Sequence, residues 1–177
     1  MTKTSANECN CTNCGKPVVS ERMNYRYTES GIPNVVLQGV TVADCAACGN
    51  SDVSIPRMAM IHRAIARGLA NSPARLTGPQ LRFLRKHLGL SGDELSRYLH
   101  TDKTKISKWE TEEDRIGPAT DRLIRLLVTA LDEQLRAQIG AVAECLPHIQ
   151  DQSGSDWELR LDVDTLLFSF FAVRRAA

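Results

Sequence analysis

Two Cys-x-x-Cys pairs, Cys11/Cys14 and Cys45/Cys48, carry the clearest chemistry in this sequence. Two residues between cysteines let both sulfurs turn toward one centre. Two such knuckles close a tetrahedral shell of four thiolates. That pattern predicts a structural zinc site with one ion per chain; an iron–sulfur cluster is the other occupant that four cysteines take. With every position filled by sulfur, none stays open for water, so the expected role is structural rather than catalytic. The first ~50 residues hold too little apolar content to fold on a core of their own, so metal-binding free energy is expected to act there as folding free energy. Cys9 stands one residue from Cys11, lacks the knuckle spacing, and reads as exposed and spare. Cys145 falls on an apolar helical face and reads as core.

A second group of residues suits a nucleic acid. In Lys103-Thr104-Lys105-Ile106-Ser107-Lys108-Trp109, at about 100° per helical residue, Ile106 and Trp109 fall on one side. Thr104, Ser107 and Lys108 fall on the other. Short hydroxyls and one long cation fit a major groove: lysine can donate to guanine O6 and N7, and threonine can touch a thymine methyl or a phosphate. Lys103 and Lys105 flank them and suit phosphates, aided by the partial positive charge of the helix N-terminus. The bland alternative is a solvated lysine-rich face on an ordinary helix.

These groups need elements to hold them. Short β-prone stretches lie between the cysteine pairs, at Pro17–Ser20, Met23–Tyr27 and Asn34–Val42. A helix follows over Pro56–Leu69, where Met58, Ile61, Ile65 and Leu69 recur at helical spacing. Thr77 with Gln80 and Ser91 with Glu94 are capping-box pairs, and Asp102 is a good N-cap for a helix over Lys103–Glu110. Three short helices joined by tight turns predict a helix-turn-helix. A longer helix starts at Pro118 with Leu123, Ile124, Leu127 and Leu131 as its apolar face. Leu135, Ile139 and Val142 extend that face as an amphipathic rod as far as Pro147. Asp151–Asp156 reads as a polar loop, Trp157–Asp164 alternates as a half-buried strand, and the state of Leu166–Val173 is open. Met1–Asn7 reads as disordered. The expected fold class is mainly α: a small zinc-bound, β-containing domain (residues 1–54), a linker helix (55–75), a helix-turn-helix domain (76–131) and a C-terminal extension (132–177), a candidate dimerisation element.

Composition narrows the partners. The 177 residues carry a net charge of +1, so no global basic field attracts nucleic acid and any binding must come from a local patch. No apolar run reaches the ~20 residues that span a bilayer, and Met1–Asn10 lacks the apolar core of a signal peptide. A cytoplasmic location without a membrane partner is expected, and reduced thiols there favour metal over disulfides. His62, His87, His100 and His148 are scattered, no Gly-rich phosphate loop occurs, and no Ser/His/Asp set stands out, so enzymatic activity is not expected.

The pairs Cys11-Thr12-Asn13-Cys14 and Cys45-Ala46-Ala47-Cys48 resemble a YgiT-type zinc finger, and Leu76–Glu110 resembles an Xre/Cro-type helix-turn-helix. In this order the two resemble the MqsA-like antitoxins and related zinc-finger regulators. The resemblance implies a homodimer that binds a palindromic operator in double-stranded DNA, probing bases with Thr104 and Lys108, and represses its own promoter. It also implies, as an alternative role, neutralising a partner ribonuclease toxin through the zinc domain. The antitoxin pattern has asparagine and arginine where this chain has Thr104 and Lys108, so a different operator is expected. Gly92 stands where glutamine is usual, and the acidic run Glu112-Glu113-Asp114 would repel phosphate, with Arg115 as its offset.

Overall fold

The computed structural model describes residues 7–153 and 156–172. The expected disorder of Met1–Asn7 falls, apart from Asn7, outside the described residues. Among the described residues, eight strands and six α-helices run in the order β1 (Asn7–Asn10), β2 (Pro17–Arg26), β3 (Val35–Asp44), β4 (Ser51–Ser54), α1 (Met58–Ala70), β5 (Ala74–Arg75), α2 (Gly78–His87), α3 (Gly92–Tyr98), α4 (Lys103–Glu110), α5 (Pro118–Leu131), α6 (Ile139–Cys145), β6 (Gln150–Ser153), β7 (Trp157–Asp162) and β8 (Phe168–Ala172).

The expected mainly-α class is incorrect: the protein is 43% helix and 25% strand. A six-stranded mixed sheet runs β1-β2-β3-β7-β8, with β4 also paired to β3. The physical reason lies in β3. Its C-terminal half pairs with β4, while its N-terminal half pairs in parallel with β7, Val35 opposite Leu159 and Leu37 opposite Leu161. Strands from both ends of the chain thus form one sheet, and the helices are an insertion between β4 and β7. Val35, Leu37, Val40, Leu159 and Leu161 are buried in one continuous core with Ile61, Ile65, Leu69, Leu81, Leu84 and Ile106. The expected strand at Trp157 is present, and the ambiguous Leu166–Val173 stretch contributes β8; Val173 lies outside the described residues. Of the expected polar loop Asp151–Asp156, the first three residues lie in β6, which pairs with β5.

Helix α1 joins sheet to helices. Arg57 donates to the carbonyls of Val163 (2.8 Å) and Asp164 (3.1 Å) at its N-terminal end. Along its length the Tyr27 hydroxyl meets His62 Nε2 at 2.8 Å. The His62 ring abuts Phe83, which stacks on His87, and His87 Nε2 lies 2.8 Å from Asp132. Burial holds the His62 pKa below its usual value, with the His87 charge adding to it.

Helix α5 buries only part of the expected face: Ile124 is buried and Leu127 packs half-buried against the core, and a polar pair joins them. Leu123 and Leu131 are exposed, while Asp121, Ile124, Arg125, Val128 and Thr129 are buried. The polar pair turns inward because it has backbone to satisfy. Arg125 Nε donates to Asp121 (2.8 Å), Nη1 to the carbonyls of Leu69 (3.2 Å), Ala70 (3.3 Å) and Ser72 (2.7 Å), and Nη2 to Ala74 (2.6 Å). Asp121 accepts from the Leu76 N–H at 2.7 Å. A cation at the C-terminus of α1 complements its carbonyl-rich end. The expected rod is also broken. Asp132, extended at ψ 110°, caps α5. Its carboxylate holds His87, Arg63 (3.3 Å) and the Gln134 N–H (2.9 Å). Burial raises the Asp132 pKa, but these partners outweigh it and hold the carboxyl below its ordinary range. No described helix is long and apolar enough to cross a membrane.

Candidate functional site

The two cysteine knuckles are built alike. In the first, the Cys11 N–H donates to Lys16 (2.8 Å) and the Gly15 N–H to Cys11 (2.9 Å). In the second, the Cys45 N–H donates to Asn50 (2.8 Å) and the Gly49 N–H to Cys45 (2.8 Å). Gly15 at φ 72° and Gly49 at φ 73° adopt the left-handed turn that brings the chain back. One knuckle links β1 to β2 and the other links β3 to β4, so strand pairing sets them face to face. The four Sγ atoms lie within 4.8 Å of one another. Cys11–Cys48 and Cys14–Cys45 are both 3.6 Å apart.

That spacing fits a single ion. Tetrahedral ligands at about 2.3 Å from a zinc-sized ion stand about 3.8 Å from one another. A multi-iron cluster with bridging sulfides needs its cysteines further apart. Cys48 is pushed down to about 6, chiefly by the Asn50 backbone N–H, with Asn13 helping. Cys14 is pushed up to about 12: the Lys16 N–H lowers it, but hydrogen bonds with Cys48, Cys45 and Cys11 and partial desolvation outweigh that. A bound cation would hold the sulfurs as thiolates.

The apolar support here is small. Cys11 and Cys45 are buried with only Val18 and Ala43 in their cluster, while Cys14 and Cys48 are exposed. A polar brace adds to it. The Thr12 hydroxyl sits 2.9 Å from both Asp52 oxygens, and Asn50 Nδ2 reaches Thr12 at 3.4 Å. The Thr12 hydrogen bond holds the Asp52 carboxyl below its ordinary pKa. Thr12, Asn50 and Asp52 were not marked by any sequence pattern. Cys9 is exposed on β1, away from the cluster, and Cys145 is half-buried with its thiol 3.8 Å from Asn71.

The second site is the surface of α4. Helices α2, α3 and α4 begin at the expected caps: Thr77 with Gln80, Ser91 with Glu94, and Asp102, whose carboxylate accepts from the Lys105 N–H at 2.7 Å. Four residues, Leu99–Asp102, separate α3 from α4. The turn closes with Thr101 N–H donating to Ser96 (2.9 Å) and His100 N–H to Arg97 (3.3 Å), with His100 left-handed at φ 48°. Ile106 and Trp109 are buried, and Thr104, Ser107, Lys108 and Lys103 are exposed. Lys105 differs. It is half-buried, pairs with Asp114 and lies 5.9 Å from the Trp109 ring centre. Lys103 has a loose exposed contact with Asp93 at 3.5 Å.

The acidic run is partly engaged by the fold. Besides the Asp114–Lys105 pair, Glu112 accepts from the Gly78 N–H (3.4 Å) and Glu113 from the Thr111 hydroxyl (3.0 Å). Gly78 shows how closely α2 and α4 approach: a Cβ there would stand 2.3 Å from the Trp109 carbonyl oxygen and 2.8 Å from that of Glu110. Gly78→Ala is expected to destabilise the protein by about 1–3 kcal/mol through overpacking. Urea unfolding would read this as a lower midpoint, and an unchanged midpoint would mean that α4 yields freely.

No protein-family model, curated protein or solved structure matches this chain.

Proposed function

We propose that the chain is a zinc-pinned, sequence-specific DNA-binding transcriptional regulator, a homodimeric repressor of its own promoter. The observation that carries this reading is the exposed face of α4. Thr104, Ser107 and Lys108 stand clear of the core on a helix whose opposite side is anchored by Ile106 and Trp109, four residues after α3. Such a helix can enter a major groove, with Lys108 and Thr104 reaching base edges and Lys103 a phosphate. Lys105 contributes less than its charge implies, because Asp114 already holds it. Zinc is the occupant that best suits four thiolates spaced for one ion, and a cytoplasmic setting keeps them reduced.

Variants separate the assigned roles. Lys108→Ala should cost about 1–3 kcal/mol and relax base choice at one operator position, whereas Lys103→Ala should weaken all sequences alike and flatten the salt dependence. Titrations of operator and scrambled duplexes by fluorescence anisotropy read both effects. Identical losses from the two changes on every sequence would contradict the roles.

A second reading, an antitoxin that masks a ribonuclease, draws on one observation. Val19, Met23 and Val53 are exposed apolar side chains. The register, Glu21 opposite Val42 and Val42 opposite Val53, sets all three on one face near the metal end. An apolar patch on a small module suits a protein partner. Co-purification of a ribonuclease that is lost in a Val19→Ser/Val53→Ser variant would favour this reading over the first.

A further inference from the structure

Two open cavities of about 180 and 370 Å³ adjoin along one face of α1, sharing Arg67 and Gln138 in their walls. The first runs over Met60, Ala64 and Leu135; the second runs toward Asn71 and Phe168. No Asp or Glu lines either one; Arg63 lines the first and Arg67 lines both. Arg63 is balanced by Asp132 at 3.3 Å. Arg67 has no carboxylate partner among the described residues. Its guanidinium donates to the Leu166 carbonyl and lies 5.1 Å from the Phe168 ring centre, and its Nε–H is buried without an acceptor.

The backbone that Arg67 touches is strained. Leu166 holds φ at 57°, a conformation costly for a leucine, and its carbonyl faces Arg67. Such strain persists where surrounding contacts impose it and recurs at ligand clamps. An arginine without a carboxylate partner, the Gln138 amide and an aliphatic floor therefore meet in one groove, while the Asn71 amide turns back to the Arg67 carbonyl at 2.8 Å. Charge complementarity calls for an anion, and the floor calls for a short hydrocarbon body.

We propose that this groove binds a small aliphatic carboxylate, with the carboxylate on the Arg67 guanidinium, Gln138 donating beside it, and the chain along Met60, Ala64 and Leu135. The site is separate from the cysteine cluster and from α4, and it stands whether or not the DNA-binding reading does.

Sodium hexanoate is the probe, with hexanamide and inorganic phosphate as controls, added to the metal-loaded full chain and followed by amide NMR shifts. Saturable shifts at Arg67, Gln138 and Leu166 are expected with hexanoate and not with hexanamide. Arg67→Met should weaken binding about tenfold or more. Gln138→Leu removes a half-buried amide with no role in the core, and should weaken binding several-fold while unfolding like the parent protein. Absence of saturable shifts, equal shifts from hexanamide, or undiminished binding by Gln138→Leu would overturn the proposal. Binding of phosphate but not hexanoate would overturn the aliphatic carboxylate as its ligand.

Discussion

Arg125→Met is expected to lower stability by about 3–5 kcal/mol, because it removes one partner of a buried ion pair and leaves the other without compensation. Arg125 is 0% exposed and Asp121 1%. Without the guanidinium, the Asp121 carboxylate stays in the core with the Leu76 N–H as its remaining partner. The carbonyls of Ser72 and Ala74 lose their 2.7 and 2.6 Å bonds as well. A loss of that size is a large part of the roughly 5–15 kcal/mol that a domain possesses. Urea unfolding followed by circular dichroism measures it. The double variant Asp121→Asn/Arg125→Met should recover part of the loss, since asparagine still accepts from Leu76 and carries no charge. A single-variant loss under about 1 kcal/mol would show that the clamp is not what fastens α5 to the end of α1.

Metal removal is expected to act locally and strongly. The cysteine end of the sheet has only Cys11, Val18, Ala43 and Cys45 as its buried cluster, too little apolar area to offset the entropy of ordering β1, β4 and the two knuckles. A strong chelator, or Cys14→Ser, should therefore release protection at β1, β4 and the β2 end near Val18. The Val35–Gln38 segment, paired to β7 inside the main core, should stay protected. Hydrogen exchange with and without chelator resolves the two regions. Acid should act in the same direction, because protons compete with metal for the thiolates: affinity is greatest at high pH and falls as pH drops. Unchanged exchange at β1 and β4 after metal removal would mean that strand pairing alone holds this end.

What the sequence made legible follows from how local each interaction is. The caps at Thr77, Ser91 and Asp102 are contacts three residues long, and the helix boundaries that depend on them fall where the residue types place them. The four cysteines carry their geometry in their own spacing. The sheet is different. Pairing Val35 with Leu159 joins residues more than a hundred positions apart, and no periodicity announces a partner at that distance. Polar β1, with sequence Asn-Glu-Cys-Asn, has no alternation to mark it and exists because β2 offers it an edge. Helix α5 misleads in another way. Its leucines at 123 and 131 satisfy an apolar stripe on paper, but the carbonyls at the end of α1 need a donor, and Arg125 takes the inward position. The Thr12–Asp52 brace is illegible for the same reason as the sheet: its partners meet only after folding.

The DNA reading is tested most directly by quantitative footprinting of the zinc-loaded protein on the DNA upstream of its own gene, across a salt series and against random competitor. Protection is expected over a palindrome with half-sites about one helical turn, or a multiple of it, apart, surviving excess competitor and lost in Lys108→Ala. Binding that is equal on random DNA and vanishes steeply with salt would contradict it.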